Sequence, residues 1–499
     1  MQSETQHDMG VLVLWVALFL GVLADYLFRE FPLGLNVSVW VAALVLSAYG
    51  LAVESDLVLP RALGLLGASA ILLGAGIGWR DSALLKRICI TGLFGVFATA
   101  CVYAAGKNLR QTSIWQFAGT TIKAGLSALA GIPPILVYDL DLKPARREGR
   151  SAILLALGRG LAVSVPILLI FGGLLVSADE AFHRLVSSFV DVSFPQLLGH
   201  VFLILFFGWT VAGYLRGLLT GKYPLSNLVS GRPANRFGII EIGLPLALLD
   251  TLFSLFVIVQ FRYFFGGNSH VQSTAGLAYS EYARRGFFEL VVVAALVLPL
   301  LLICHTLLDK SKAANERTFR IIAGIQVALL FVIMASAFQR MRLYQREYGM
   351  TELRLYTVAF MAWLAAVFVA LVLTVLRGHT EGFAAFSLVS AFLVACSLVI
   401  LNPDALIIKA NAARAEAGLP FDAYYNASLS DDAAPALIDA LPRLSETDRA
   451  RVASSLLIQA GSLNSTDWRS WSFSRGRARA IIEANRHTLE QWAAVPPGN

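Results

Sequence analysis

"FGIIEIGLPLALLDTLFSLFVIVQ", Phe237 to Gln260, is the stretch whose reading decides the fold. At about 1.5 Å per helical residue it is long enough to cross a hydrocarbon core about 30 Å thick. A soluble helix of this length would turn a polar face to water; this one has only Asp250 in its middle. The stretch therefore reads as a membrane-spanning helix.

Runs of the same kind recur near Met9–Phe28, Val37–Val53, Arg61–Trp79, Leu84–Ala105, Ala152–Val176, Leu197–Leu219, Phe287–Leu308, Ile321–Phe338, Tyr356–Leu376 and Phe383–Leu401. A twelfth candidate, Ile114–Val137, carries Lys123 and the pair Pro133-Pro134. Three readings stand for it: a crossing, an interfacial helix or a half-helix. The fold class is all-α, a polytopic bundle of about 11–12 transmembrane helices over residues 1–401, followed by a small soluble helical domain over 402–499.

Composition agrees. Of 499 residues 57% are hydrophobic and 15% charged, where a soluble domain carries about a quarter. The net charge of +7 does not point to nucleic acid, because the basic residues sit in short loops between apolar runs. Cys89, Cys101, Cys304 and Cys396 fall inside apolar runs without CxxC spacing, so neither a disulfide framework nor a zinc site is expected. The opening "MQSETQHDMG" lacks a basic n-region, so the first helix is expected to be uncleaved.

Lysine and arginine collect in "DLKPARREGR", "RGLLTGKYPLSNLVSGRPANR" and "DKSKAANERTFR", which places those loops in the cytoplasm. Counting onward puts Ser177–Pro195, the segment "EYARRGFFEL", the segment Arg340–Arg354 and the tail from Asn402 on the outer side. In the tail, Asn402 can cap a helix with Pro403 in its first turn, and Gly418 suits a left-handed stop. Ser430 with Asp431 and Asp432 starts another helix. Ser445 with Asp448 starts a third, closed by Gly461, and a last one runs from Ser474 toward Trp492. Two readings stand for this tail, a docking surface for a partner and a lid on its own membrane domain.

The polar residues set against the apolar background are the candidate sites. In "EYARRGFFEL", Glu281, Arg285 and Glu289 share a helical face, with Tyr282 and Gly286 on a second; Arg284 and Arg285 read either as snorkelling anchors or as part of an anion site. In "FQRMRLYQREYGMTELRLY", Arg340, Arg342, Arg346 and Arg354 alternate with Tyr344, Tyr348 and Tyr356, and Gly349 makes a turn before a cap at Thr351. The planar fork of arginine suits carboxylate or phosphate, so these two segments form either a pocket for an anionic headgroup or glycan, or a set of ion pairs with Glu281, Glu289, Glu347 and Glu352. Within the membrane, Asp250 stands at a depth where an ionised carboxylate costs several kcal/mol. Its alternatives are a functional site and a protonated carboxyl bonded to a neighbouring helix. Glu241 and Arg159 sit at similar depth, near the cytoplasmic ends of their helices, where they could pair. Gln260, Gln326 and His200 read as helix glue.

No Walker A loop, HExxH, GxSxG elbow or dinucleotide fingerprint is present, and "GAGIG", Gly74–Gly78, lies inside an apolar helix and reads as close packing. No catalytic residue, cofactor or metal is expected.

Taken in order, "VIVQFRYFFGG", "EYARRGFFEL", "AFQRMRLYQREYGMTELRLY", "LNPDALIIKANAAR" and "DWRSWSFSRGRAR" resemble the bacterial multi-pass membrane proteins of the domain of unknown function 4173 family, related to 4153. The resemblance implies an integral bacterial inner-membrane protein without an established activity. The segment after Asn402 carries a second asparagine, Asn411, preceded by Ala410 where the family pattern has an aromatic residue.

Two functions fit these residues: a non-enzymatic sensor or scaffold that binds an envelope component or a partner protein, and a secondary transporter or lipid-handling protein for an anionic substrate. Transporters of this size often show inverted repeats. Here the polar motifs crowd into the second half, which favours the first. The lipid bilayer is a partner in either case, and nucleic acid in neither.

Overall fold

The structure, a computed structural model, describes residues 2–29, 32–55, 60–135, 194–221, 237–265, 287–378, 381–462 and 467–494. The expected helix Ala152–Val176, Arg159, Glu281, Tyr282, Arg284 and Arg285 lie outside the described residues.

Among the described residues the regular elements are helices: α1 (Gln2–Phe28), α2 (Leu35–Glu54), α3 (Arg61–Trp79), α4 (Ala83–Ala104), α5 (Ile114–Ala130), α6 (Phe194–Thr220), α7 (Ile239–Phe265), α8 (Phe287–Leu307), α9 (Ala313–Tyr348), α10 (Glu352–Leu373) and α11 (Phe383–Leu401). Ten of these, all but α5, are long and apolar enough to cross a membrane. Each keeps one apolar stripe inside and shows another outside. On α7, Leu246 and Phe253 are buried while Leu244, Leu248 and Leu252 are exposed. Water would not tolerate that much open apolar surface, and lipid does. The chain is an integral, multi-pass membrane protein.

Helices α1 to α6 pack into one group, α1 against α6 and α2, then α2 on α3 and α3 on α4. Close approach of α2 and α3 rests on the glycines of "GAGIG": the Ser38 hydroxyl donates to the Gly74 carbonyl at 2.7 Å. Helices α7 to α10 form a second group around α9, and α11 joins the two by packing on α10, α4 and α3. Cys89 and Cys101 are buried, Cys304 and Cys396 half-buried, and all four are free thiols.

Of Ile114–Val137 the structure describes residues 114–135, and the short helix there fits the half-helix among the three readings. α5 starts with a capping box between Ser113 and Gln116 and packs on α4 and α6. Its last turn lies beside Trp209, whose indole N–H donates to Leu129 O at 2.9 Å. Trp209 stands eleven positions before the end of α6 at Thr220, so α5 stops about 16 Å from that end of the bundle.

After α11 the helices shorten: α12 (Pro403–Glu416), α13 (Ala423–Ala427), α14 (Ala434–Ala440), α15 (Glu446–Ser462), α16 (Phe473–Ala484) and α17 (Arg486–Ala493). The expected caps are present. The Asn402 side chain accepts from Ala405 N with Pro403 in the first turn, Gly418 has φ +81°, and Ser445 Oγ accepts from Asp448 N. Two expectations fail: Gly461 does not close its helix, which runs past it to Ser462, and the helix from Ser474 toward Trp492 is two helices, broken at Asn485, whose side-chain amide donates to Ile481 O at 2.8 Å and so competes with the helical ladder. The tail has its own apolar core of Ile407, Ile408, Leu437, Val452, Leu456, Ile482 and Leu489.

Candidate functional site: the clasp between tail and bundle

Helices that end together leave backbone N–H and C=O groups without intrahelical partners. At one end of the bundle the residues before α2, the turns 80–82 and 349–351 and the end of α11 come together, and the tail is built against them.

Asp432 is the centre. It is 3% exposed. Its Oδ2 accepts the backbone N–H groups of Asp81 at 2.7 Å and Ser82 at 3.0 Å, at the start of α4, where a negative charge also favours the helix dipole. Its Oδ1 faces Arg80 Nη1 at 3.3 Å and accepts from the Ser474 hydroxyl. Arg80 spends its other donors on the last carbonyls of α11, Nε to Val399 O at 2.7 Å and Nη2 to Ile400 O at 3.2 Å. One buried pair thus joins the α3–α4 turn, the end of α11 and two parts of the tail.

A second layer surrounds it. Asp81 accepts from Lys86 Nζ at 2.8 Å and Arg475 Nη2 at 3.1 Å, and Arg475 Nε reaches Asp431 at 3.3 Å. Burial alone would raise the Asp81 carboxyl; the Lys86 and Arg475 charges overcome it and hold it below its ordinary range. Asp431 moves the other way, raised by burial and then by the charge of Asp81. Leu35 N donates to Trp471 O at 2.9 Å, and Arg469 donates to Tyr26 O with its guanidinium 4.7 Å above the Tyr26 ring.

The α9–α10 turn is held by Asn411. Its Oδ1 accepts from Met350 N at 2.7 Å while its Nδ2 donates to Met350 O at 3.0 Å and Asn426 Oδ1 at 2.8 Å, so the side-chain amide acts as a short piece of β-ladder. Gly349, at φ +78°, permits this: a Cβ there would lie 2.7 Å from Asn411 Oδ1. Arg414 donates to the carbonyls of Arg346 and Glu347, closing the end of α9.

Behind these contacts lies Asp404, fully buried. Its Oδ2 accepts the Ser430 N–H and hydroxyl, and its Oδ1 has no hydrogen-bond partner. Burial, joined by the charges of Glu352 and Asp432, pushes this carboxyl up to about 7.

The sequence-based site residues are distributed differently from expectation. Arg340 to Arg354 is no free loop: α9 runs 36 residues to Tyr348 and carries the first three arginines on its last turns. Arg340 is buried and donates to Gln260 Oε1 at 2.7 Å, which also accepts from Ser336. Arg342, Arg346 and Tyr348 are exposed. Arg354 lies 4.0 Å above the half-buried Tyr344 ring and donates to Gly349 O, and Tyr344 meets Tyr348 edge-on at 5.0 Å. Among the described residues no ion pair joins Arg342, Arg346 or Arg354 to Glu347 or Glu352; Arg354 turns instead to the Gly349 carbonyl and the Tyr344 ring. Glu289 is exposed in the first turn of α8. Glu241 is also exposed and accepts from Gly238 N at 2.6 Å, capping α7; Arg159, with which it could pair, lies outside the described residues. Asp250 is buried on α7. His200 does join helices, as its Nδ1 lies 2.6 Å from Asp25 on α1.

Sequence reasoning missed Arg80, Asp81 and the role of Asp432. The available signal was the pattern "RDS" between two spans and "SDD" before a proline, charged triplets at helix ends on the same side of the bundle. No three His, Cys, Asp or Glu residues among those described are placed to hold a metal ion.

A family model described as domain of unknown function (DUF4153) matches residues 67–440, a stretch that holds both Arg80 and Asp432. The resemblance drawn from the sequence thus stands at the level of 4153. No curated protein and no solved structure matches the chain.

Proposed function

This chain belongs to the DUF4153 family, and from that premise we propose that it is a non-enzymatic sensor or scaffold of the bacterial inner membrane, with a membrane domain over 1–401 and a soluble helical domain over 402–499 that receives an envelope component or a partner protein. The observation that carries this reading is the clasp. Asp432, Arg80, Asp81 and Arg475 tie the tail to the α3–α4 turn while Asn411 ties it to the α9–α10 turn, so a force or ligand acting on the tail is felt by both helix groups.

We place the tail outside. Lys107, Arg110 and Lys312 occupy short loops at the opposite end of the bundle, whereas at the tail end Arg29 is matched by Asp25, Arg80 by Asp432 and Lys86 by Asp81, and Arg354 lies on the Tyr344 ring. Cysteine placed at the exposed Ile458 tests this. Labelling by an impermeant thiol reagent in intact cells is the expected result; labelling only after the membrane is opened would remove envelope partners from consideration. The second reading, a transporter or lipid-handling protein for an anionic substrate, draws on Asp250 in the membrane and predicts that Asp250→Asn abolishes a pH-dependent flux.

A further inference from the structure

Helix α7 is joined to the rest of the described structure along one narrow stripe: Ile242, Leu246, Asp250, Phe253, Val257 and Gln260 are buried, and the face opposite is open. The helix it packs against is α9. Two contacts set the register of this parallel pair. Gly243 lies against Ile322, and Gln260 is bonded to Ser336 and Arg340. Position 250 therefore falls beside 326 to 330.

Gln326 occupies that place. It is fully buried, and neither its Oε1 nor its Nε2 has a hydrogen-bond partner. Asp250 is 8% exposed, and its Oδ1 has no partner. An unpaired amide and an unpaired carboxylate each carry a large desolvation cost in an apolar seam. Finding both within a turn of one another, on the faces the two helices turn to each other, marks a place where a ligand belongs. α9 carries no charged side chain between Arg320 and Arg340, and α7 carries none but Asp250 between Glu241 and Gln260, so neither helix of the seam supplies a cation at that level. One carboxylate and one amide offer too few oxygens for calcium or magnesium, which take six or more, and no histidine or cysteine lies on either helix at that level to hold zinc. A proton needs only one lone pair.

We propose that Asp250 and Gln326 form an intramembrane proton-binding site in the seam between α7 and α9. A proton from the aqueous phase forms an O–H bond with the Asp250 carboxylate, the site passes from one negative charge to neutral, and the new hydroxyl and the Gln326 amide satisfy each other directly or through one water. The protonated seam holds α7 on α9; the ionised seam draws in water and loosens it. The site stands apart from the clasp and does not depend on the scaffold reading.

The test uses the full chain in detergent micelles and a hydrophobic carbodiimide, which adds to protonated carboxyls in apolar surroundings and leaves an N-acylurea readable by peptide mass spectrometry. The expected result is an adduct on Asp250 whose rate falls about tenfold per pH unit above a midpoint. The adduct vanishes in Asp250→Asn, which elutes as the wild type does in size exclusion. Gln326→Leu should move the midpoint by about one unit, or about tenfold in rate at fixed pH. An Asp250 that stays unlabelled in acidic and alkaline buffer alike overturns the proposal. So does protection by sodium at constant pH, which would make the ligand a metal cation, and so does a midpoint indifferent to Gln326→Leu.

Discussion

The clasp and the α7–α9 seam are both polar structures in an apolar chain, but they satisfy their polar groups differently. Around Asp432, acids meet guanidinium groups, hydroxyls and backbone N–H groups together. In the seam, Asp250 and Gln326 are buried with atoms left unpaired. The cause is what each place has within reach. Helix ends offer free backbone donors and acceptors, and the tail brings charges of both signs to them. At mid-span the backbone is consumed by its own ladder, so a buried side chain has only other side chains or a small guest to bond. Polar groups at helix ends thus report structure, and unpaired ones at mid-span report a possible occupant.

The comparison is broken most forcefully at Asp432. Asp432→Ala leaves Arg80 buried without its counter-charge and the start of α4 without its acceptor, and loss of one partner of a buried pair costs about 3–5 kcal/mol. Hydrogen exchange on the full chain should show protection falling across 403–494 while α7 is unchanged. Unchanged protection in the tail would mean that this carboxylate does not pin it.

A smaller effect is expected from pH. The Asp404 carboxyl is raised from 3.8 to about 7, so the docked state favours its protonated form. Its contribution is whole below 3.8 and is lost as the pH climbs through about 7. Asp431, also raised, adds in the same direction, while Asp81, held low, acts only as the pH falls below the ordinary carboxylate range. The wild-type Tm should drop from mildly acidic to mildly alkaline buffer, and Asp404→Asn should reduce that slope. A slope of wild-type size in the variant would assign the effect elsewhere.

The smallest change should come from Arg346→Ala. The side chain is exposed, and it is the Arg346 carbonyl that receives Arg414. Stability should stay within about 0.5 kcal/mol, read as Tm. A larger loss would show that the arginines at the end of α9 belong to the clasp and not to a free surface.

Much of this fold was legible residue by residue. The ten spans follow from runs of apolar residues as long as a bilayer is thick, and Asn402, Pro403, Gly418 and Ser445 announced helix ends because capping is decided within four positions. Gly74 and Gly78 announced a close helix contact for the same local reason. The arginine-rich segment misled because "GMTEL" reads as a loop edge while the residues before it still satisfy a helix, and α9 simply continues to Tyr348.

What the sequence determined by itself was therefore the solvent: a hydrophobic chain with these run lengths folds as helices in a membrane, since each span satisfies its own backbone. Tertiary structure decided the partners. Nothing local shows that Asp432 meets Arg80, 352 positions away, that Asn411 pairs with Met350, that α5 stops halfway beside Trp209, or that Asp250 and Gln326 share one seam. Helix periodicity records which face of a helix is buried, but not what lies against it, because that depends on how separate helices are brought together in space.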